Sequence, residues 1–139
     1  VKRRMEILAS REDYVIYDDF AHHPTEILQT LSSLREKIGN DQIIALIEPR
    51  SRTMQSGLHD KEMAKALSPA DSVIWYEGQD VKRSMSTELK KAKAEVYFAA
   101  NISEIIQITR QIKTTKSNIV IMSNGDFSGL RELIKRELD

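Results

Sequence analysis

The chain has 139 residues, enough for one domain that buries about two-thirds of the surface its unfolded form would expose. Lys plus Arg equals Asp plus Glu at 21 each, which argues against a broad polyanion-binding face and so against nucleic acid. No apolar run approaches a membrane span, and with no Cys there is no disulfide framework, thiolate nucleophile or Cys-based zinc site, as fits a cytoplasmic protein.

In chain order, Met5 to Leu8 and Val15 to Tyr17 read as two strands of a hairpin turned across Ser10 to Asp13. Pro24 suits a first helical position, and Ile27, Leu28, Leu31, Leu34 and Ile38 follow at helical spacing until Gly39 stops them. Ile43–Ile47 is a buried strand ended by Glu48-Pro49, and Asp60–Leu67 a short helix closed by Ser68-Pro69. Ser72–Tyr76 is the next strand. Val81–Lys93 is polar and expected to be helical, with Val81, Met85 and Leu89 four apart.

Val96–Phe98 is a short strand. Asn101 with Glu104 makes a capping-box-like start for a helix striped by Ile102, Ile105, Ile106, Thr109 and Ile112. Ile119–Met122 is the last strand, and Leu130, Leu133, Ile134 and Leu138 mark a closing helix. The alternation predicts one α/β domain over 1–139, with a mainly parallel sheet of about six strands and one antiparallel edge strand.

In such a sheet, ligands bind outside the carboxyl ends of the strands. That rule selects the loops at 18–24, 48–59 and 123–129, which hold all three His, two of three Pro and three of five Gly. The opposite-end loops, 39–41 and 114–118, are ordinary polar turns. Asp18-Asp19 could tie down backbone amides at a strand end, and His23 could cap the next helix. A zinc site is a weaker reading, because adjacent His22 and His23 point apart and no helical His pair exists. A phospho-accepting receiver domain needs an Asp and a Lys where Glu48-Pro49 and Ser123-Asn124 stand.

Arg50 and Arg52 are either a solvated pair or a fork for carboxylate or phosphate. Gly125 and its small neighbours let backbone amides approach a ligand. There is no P-loop, no G-x-G-x-x-G and no nucleophile elbow. The residues alone lead to an anion-binding α/β domain.

Val1-Lys2-Arg3-Arg4-Met5-Glu6 and Tyr17-Asp18-Asp19-Phe20-Ala21-His22-His23-Pro24-Thr25-Glu26 resemble the start of the C-terminal domain of the Mur ligases. Glu48-Pro49-Arg50-Ser51 with Thr53-Met54, and Met122-Ser123-Asn124-Gly125, resemble the branch that takes a murein tripeptide in wall recycling. The muramate–alanine branch is the alternative, and a stand-alone module for an anionic peptide or nucleotide a third. The resemblance implies a Rossmann-like three-layer domain. It also implies a piece of a longer enzyme, consistent with an opening Val1, in which N-terminal UDP-sugar-binding and central ATPase domains precede it.

The implied reaction is ATP-dependent amide formation between L-Ala-γ-D-Glu-meso-diaminopimelate and UDP-N-acetylmuramate, with Mg²⁺ held mainly by the central domain. No catalytic residue and no metal ligand is implied for this domain, which would be inactive alone. It implies that Arg4, Asp19 and His22 bind ATP. Arg50, Ser51, Arg52, Thr53 and Met54, with Ser123, Asn124, Gly125 and Phe127, would bind the incoming peptide. Phe20 stands where sister ligases often carry Tyr.

Overall fold

The computed structural model describes residues 3–49, 60–79, 81 and 83–138. Six strands, β1 (Glu6–Ser10), β2 (Tyr14–Asp19), β3 (Gln42–Ile47), β4 (Ser72–Tyr76), β5 (Glu95–Ala99) and β6 (Ser117–Met122), form one sheet. Their order is β1-β2-β6-β3-β4-β5, and every pair is parallel except β1 with β2. The expected antiparallel edge strand is therefore present.

Side chains alternate between two cores, as the period of two in a strand requires. Ile43, Ala45 and Ile47 of β3, with Val73 and Trp75 of β4, face one layer, while Ile44, Leu46 and Ile74 face the other. Helices α1 (Pro24–Ile38), α2 (Asp60–Ala66) and α3 (Ser86–Leu89) cover the first face through Ile27, Leu31, Met63 and Leu89. Helices α4 (Ile102–Ile112) and α5 (Leu130–Glu137) cover the second through Ile105, Ile106, Leu130 and Ile134. Strands buried on both sides explain the near-continuous apolar runs of β3 and β6.

The local signals act as their chemistry requires. Pro24 opens α1 behind a capping box in which the His23 side chain accepts from Thr25 N and Glu26 accepts from His23 N. Gly39, at φ +69°, ends it. Asn101 caps α4 by accepting from Glu104 N at 2.9 Å.

One expectation is corrected. Among the described residues of 81–93, helix is confined to Ser86–Leu89. Glu77 accepts from Ser84 Oγ and from Met85 N, both at 2.7 Å, and these bonds hold the preceding segment as a loop. Side-chain bonding of this kind competes with the helical backbone pattern.

Helices leaving β2 and β3 pack on one face, whereas α5, leaving β6 between them, packs on the other. The strand order thus reverses its sense of winding around β6. That switch point is where a doubly wound sheet opens a crevice at its carboxyl end.

Candidate functional site

The crevice is built from the ends of β2, β6 and β3. Ser123 N donates to Asp19 O and Glu48 N to Met122 O, both at 3.1 Å, so the strand ends stay in register as they become loops. Ser123 Oγ donates to Glu48 Oε1 and accepts from Gly125 N at 3.0 Å. Glu48 is itself buried, so this pair ties the loop after β6 to the loop after β3.

Asp19 sits at the end of β2, 6 % exposed. Its Oδ1 accepts from Ala21 N at 2.9 Å and its Oδ2 from Met5 N at 3.1 Å. Burial pushes its carboxyl above the ordinary range, against the pull of those two amides. The backbone-tying role is therefore real, and a carboxylate still has further lone pairs with which to accept from a ligand.

Arg4 lies with its guanidinium 4.8 Å from the centroid of the Phe20 ring. Phe20 thus serves as a platform that needs no hydroxyl. Arg4, Asp19, Phe20 and Glu26 line a cavity of about 200 Å³. Beside it, His22 Nδ1 lies 3.2 Å from Phe20 O and 3.8 Å from Glu26 Oε1. The bond to Phe20 O needs the proton on Nδ1, which leaves Nε2 of the neutral ring as an acceptor. Arg4, Asp19 and His22, chosen on sequence, are gathered at one place.

The loop after β6 is less uniform. Asn124 is exposed and Gly125 half-buried, but Ser123 and Phe127 are both 0 % exposed. The Phe127 ring packs 5.5 Å from that of Tyr76, within the core beneath α5. Ser123 and Phe127, expected to face the peptide, are buried in this domain and support the loop from below. Arg50, Ser51, Arg52, Thr53 and Met54 lie outside the described residues.

Sequence reasoning missed the device that fixes this loop. Arg131, on α5, donates through Nε to Asp18 Oδ1 at 2.8 Å and through Nη1 to Gly125 O and Asp126 O at 3.0 and 2.8 Å. Arg3 donates to Ser123 O at 2.6 Å and Gly125 O at 2.8 Å, with Nε 3.5 Å from Asp18 Oδ2. Two guanidinium forks thus clamp three carbonyls of one loop, those of Ser123, Gly125 and Asp126, onto one buried carboxylate. Arg131 lies 113 residues from Asp18, and Arg3 120 residues from Ser123, so no local pattern could reveal those contacts. The carboxyl-end rule selects the loops at 18–24 and 123–129, but nothing in it singles out Arg3 or Arg131.

A family described as Mur ligase, glutamate ligase domain, matches residues 3–125. The chain belongs to the Mur ligase family. This Mur ligase domain is 35% identical, over 99% of its length, to the UDP-N-acetylmuramate–L-alanyl-γ-D-glutamyl-meso-2,6-diaminoheptandioate ligase of Haemophilus influenzae. It is 52% identical over 120 residues, 84% of its length, to the UDP-N-acetylmuramate–L-alanine ligase of Streptococcus agalactiae. It covers 30% and 27% of those two proteins, respectively. The crystal structure of the murein peptide ligase of Psychrobacter arcticus superposes with a TM-score of 0.88 at 33% identity, over 99% of this domain and 30% of that chain.

Proposed function

We propose that this domain closes the active site of an ATP-dependent ligase that joins L-Ala-γ-D-Glu-meso-diaminopimelate to UDP-N-acetylmuramate, in cytoplasmic recycling of wall peptides. The observation that carries this reading is that Arg4 and Asp19 line one cavity at the carboxyl end of β2, with His22 held next to Phe20 of its wall. Arg4 supplies positive charge for phosphate oxygens, Asp19 an acceptor for ribose hydroxyls and His22 Nε2 an acceptor beside the nucleotide. Arg50, Ser51, Arg52, Thr53 and Met54, with Asn124 and Gly125, meet the carboxylates and amides of the incoming peptide.

Chemistry begins elsewhere in the polypeptide. ATP converts the muramyl carboxylate to an acyl phosphate, the peptide amine attacks its carbonyl, and phosphate leaves. The partners are the N-terminal UDP-sugar-binding domain and the central ATPase domain. In this reading Mg²⁺ is held mainly by the central domain. Lacking a P-loop, it neither hydrolyses ATP nor forms the amide alone.

The muramate–alanine ligase is the second reading, favoured by the 52% identity to the streptococcal enzyme. Against it stands Glu48-Pro49-Arg50-Ser51, which suits a peptide with several carboxylates better than one amino acid.

In the polypeptide carrying this domain, Asp19→Asn is expected to raise the Michaelis constant for ATP roughly ten- to a hundredfold, the equivalent of about 1.5–3 kcal/mol for a charged hydrogen bond. The constant for tripeptide should stay close to wild type. Unchanged ATP kinetics would leave Asp19 only its backbone bonds to Met5 and Ala21.

A further inference from the structure

A second cavity lies between α2 and α3 on the first face. It measures about 390 Å³, has mostly apolar walls, and is lined by Lys61, Ala64, Lys65 and Ser68 from α2 and its exit, and by Glu88, Lys91 and Lys93 from α3 and its exit. Ser68 precedes β4 and Lys93 precedes β5, so the cavity opens at the amino ends of those strands. The candidate ligase site is at the carboxyl ends, and the two share no residue.

The charge around this groove is unlike that of the rest of the molecule. The chain as a whole carries equal numbers of acidic and basic residues. Here four lysines face one glutamate, and only Lys91 reaches it, at 3.5 Å. Lys61, Lys65 and Lys93 make no ion pair among the described residues, whereas Arg35, Arg83, Lys113, Arg131 and Lys135 each hold a carboxylate. Like charges held together repel, and a bound anion relieves that repulsion. The aliphatic stems of the lysines and Ala64 supply apolar wall beneath the ammonium groups. A basic rim alone would suit inorganic phosphate, and an apolar pocket alone would suit a neutral hydrocarbon. This groove combines both, at a volume typical of small-ligand sites.

We propose that the groove between α2 and α3 is a binding site for a small amphipathic anion, an apolar body bearing a carboxylate, sulfonate or phosphate. The site stands apart from the ligase reading and survives or fails independently of it.

The test uses the ¹⁵N-labelled 139-residue chain titrated with anilinonaphthalene sulfonate, with the same ring system lacking the sulfonate and with inorganic sulfate as separate arms. Saturable binding is expected, with amide shifts centred on Ala64, Lys65, Ser68 and Lys93 and affinity falling as salt rises. The neutral ring and sulfate should each bind at least about tenfold more weakly, and the Lys65→Glu/Lys93→Glu variant should lose about tenfold or more. Lys65→Gln should give a smaller loss, and Lys116→Glu, on another surface, none. All these lysines are exposed or half-exposed at the surface, and an unchanged circular dichroism spectrum checks that the variants fold. No saturable binding, shifts centred instead on Arg4 and Phe20, equal binding of the neutral ring, or full affinity in the double variant would each overturn the proposal.

Discussion

The Phe127→Ala domain is expected to lose about 3–5 kcal/mol of stability, the usual cost of truncating a fully buried Phe. Phe127 is 0 % exposed and packs with Tyr76, Leu130 and Ile134. Its backbone sits at φ +53° and that of Ser128 at +52°, followed by Gly129 at +76°. Left-handed backbone costs a non-glycine residue about 1–2 kcal/mol. Burial of the ring is what holds this turn, so truncation both opens a cavity and frees the turn to relax. Urea denaturation is the measurement, with a midpoint lowered by about 1–3 M. If Phe127 were instead a surface contact for peptide, the stability change would stay within about 0.5 kcal/mol and only peptide affinity would fall.

Asp18→Asn is expected to cost about 3 kcal/mol, because it leaves two guanidinium groups without their counter-charge. The Asp18 side chain is 3% exposed and that of Arg131 16%. Arg3, at 33%, is better solvated and loses less. Much of the penalty is the stranded Arg131 charge, whose Nη2 is already buried without a hydrogen-bond partner. Adding Arg131→Met should therefore recover a large part of the loss, a coupling that a double-mutant cycle reads directly. A loss below about 1 kcal/mol, or strict additivity of the two changes, would show that the clamp on the loop after β6 carries little energy.

How far the sequence discloses this molecule differs from element to element. The two-sided strands, the Pro24 start of α1, the Asn101 cap and the edge hairpin all depend on neighbours within a few residues, and all were legible. Helix at 81–93 was not, because the spacing of Val81, Met85 and Leu89 does not register that Glu77 captures Met85 N. The site divides in the same way. Asp19 and His22 share one loop that the carboxyl-end rule selects, whereas Arg4, before β1, enters only through the family resemblance. The Arg3–Asp18–Arg131 clamp joins opposite ends of the chain, and Arg131 reads in sequence as one more charge on the polar face of α5. Phe127 lies in a small, Gly-bearing loop, and composition there gives no sign that its ring turns inward.

Substrate choice tests the central claim most directly. The polypeptide that carries this domain is supplied with ATP and UDP-N-acetylmuramate, and ADP release is followed with murein tripeptide and, separately, with L-alanine. Expected is turnover with tripeptide, and a kcat/KM for alanine lower by about a hundredfold or more, since a site built to pair several polar groups rejects a partner that lacks them. Equal or better use of alanine, or no tripeptide-dependent ADP release, would contradict it.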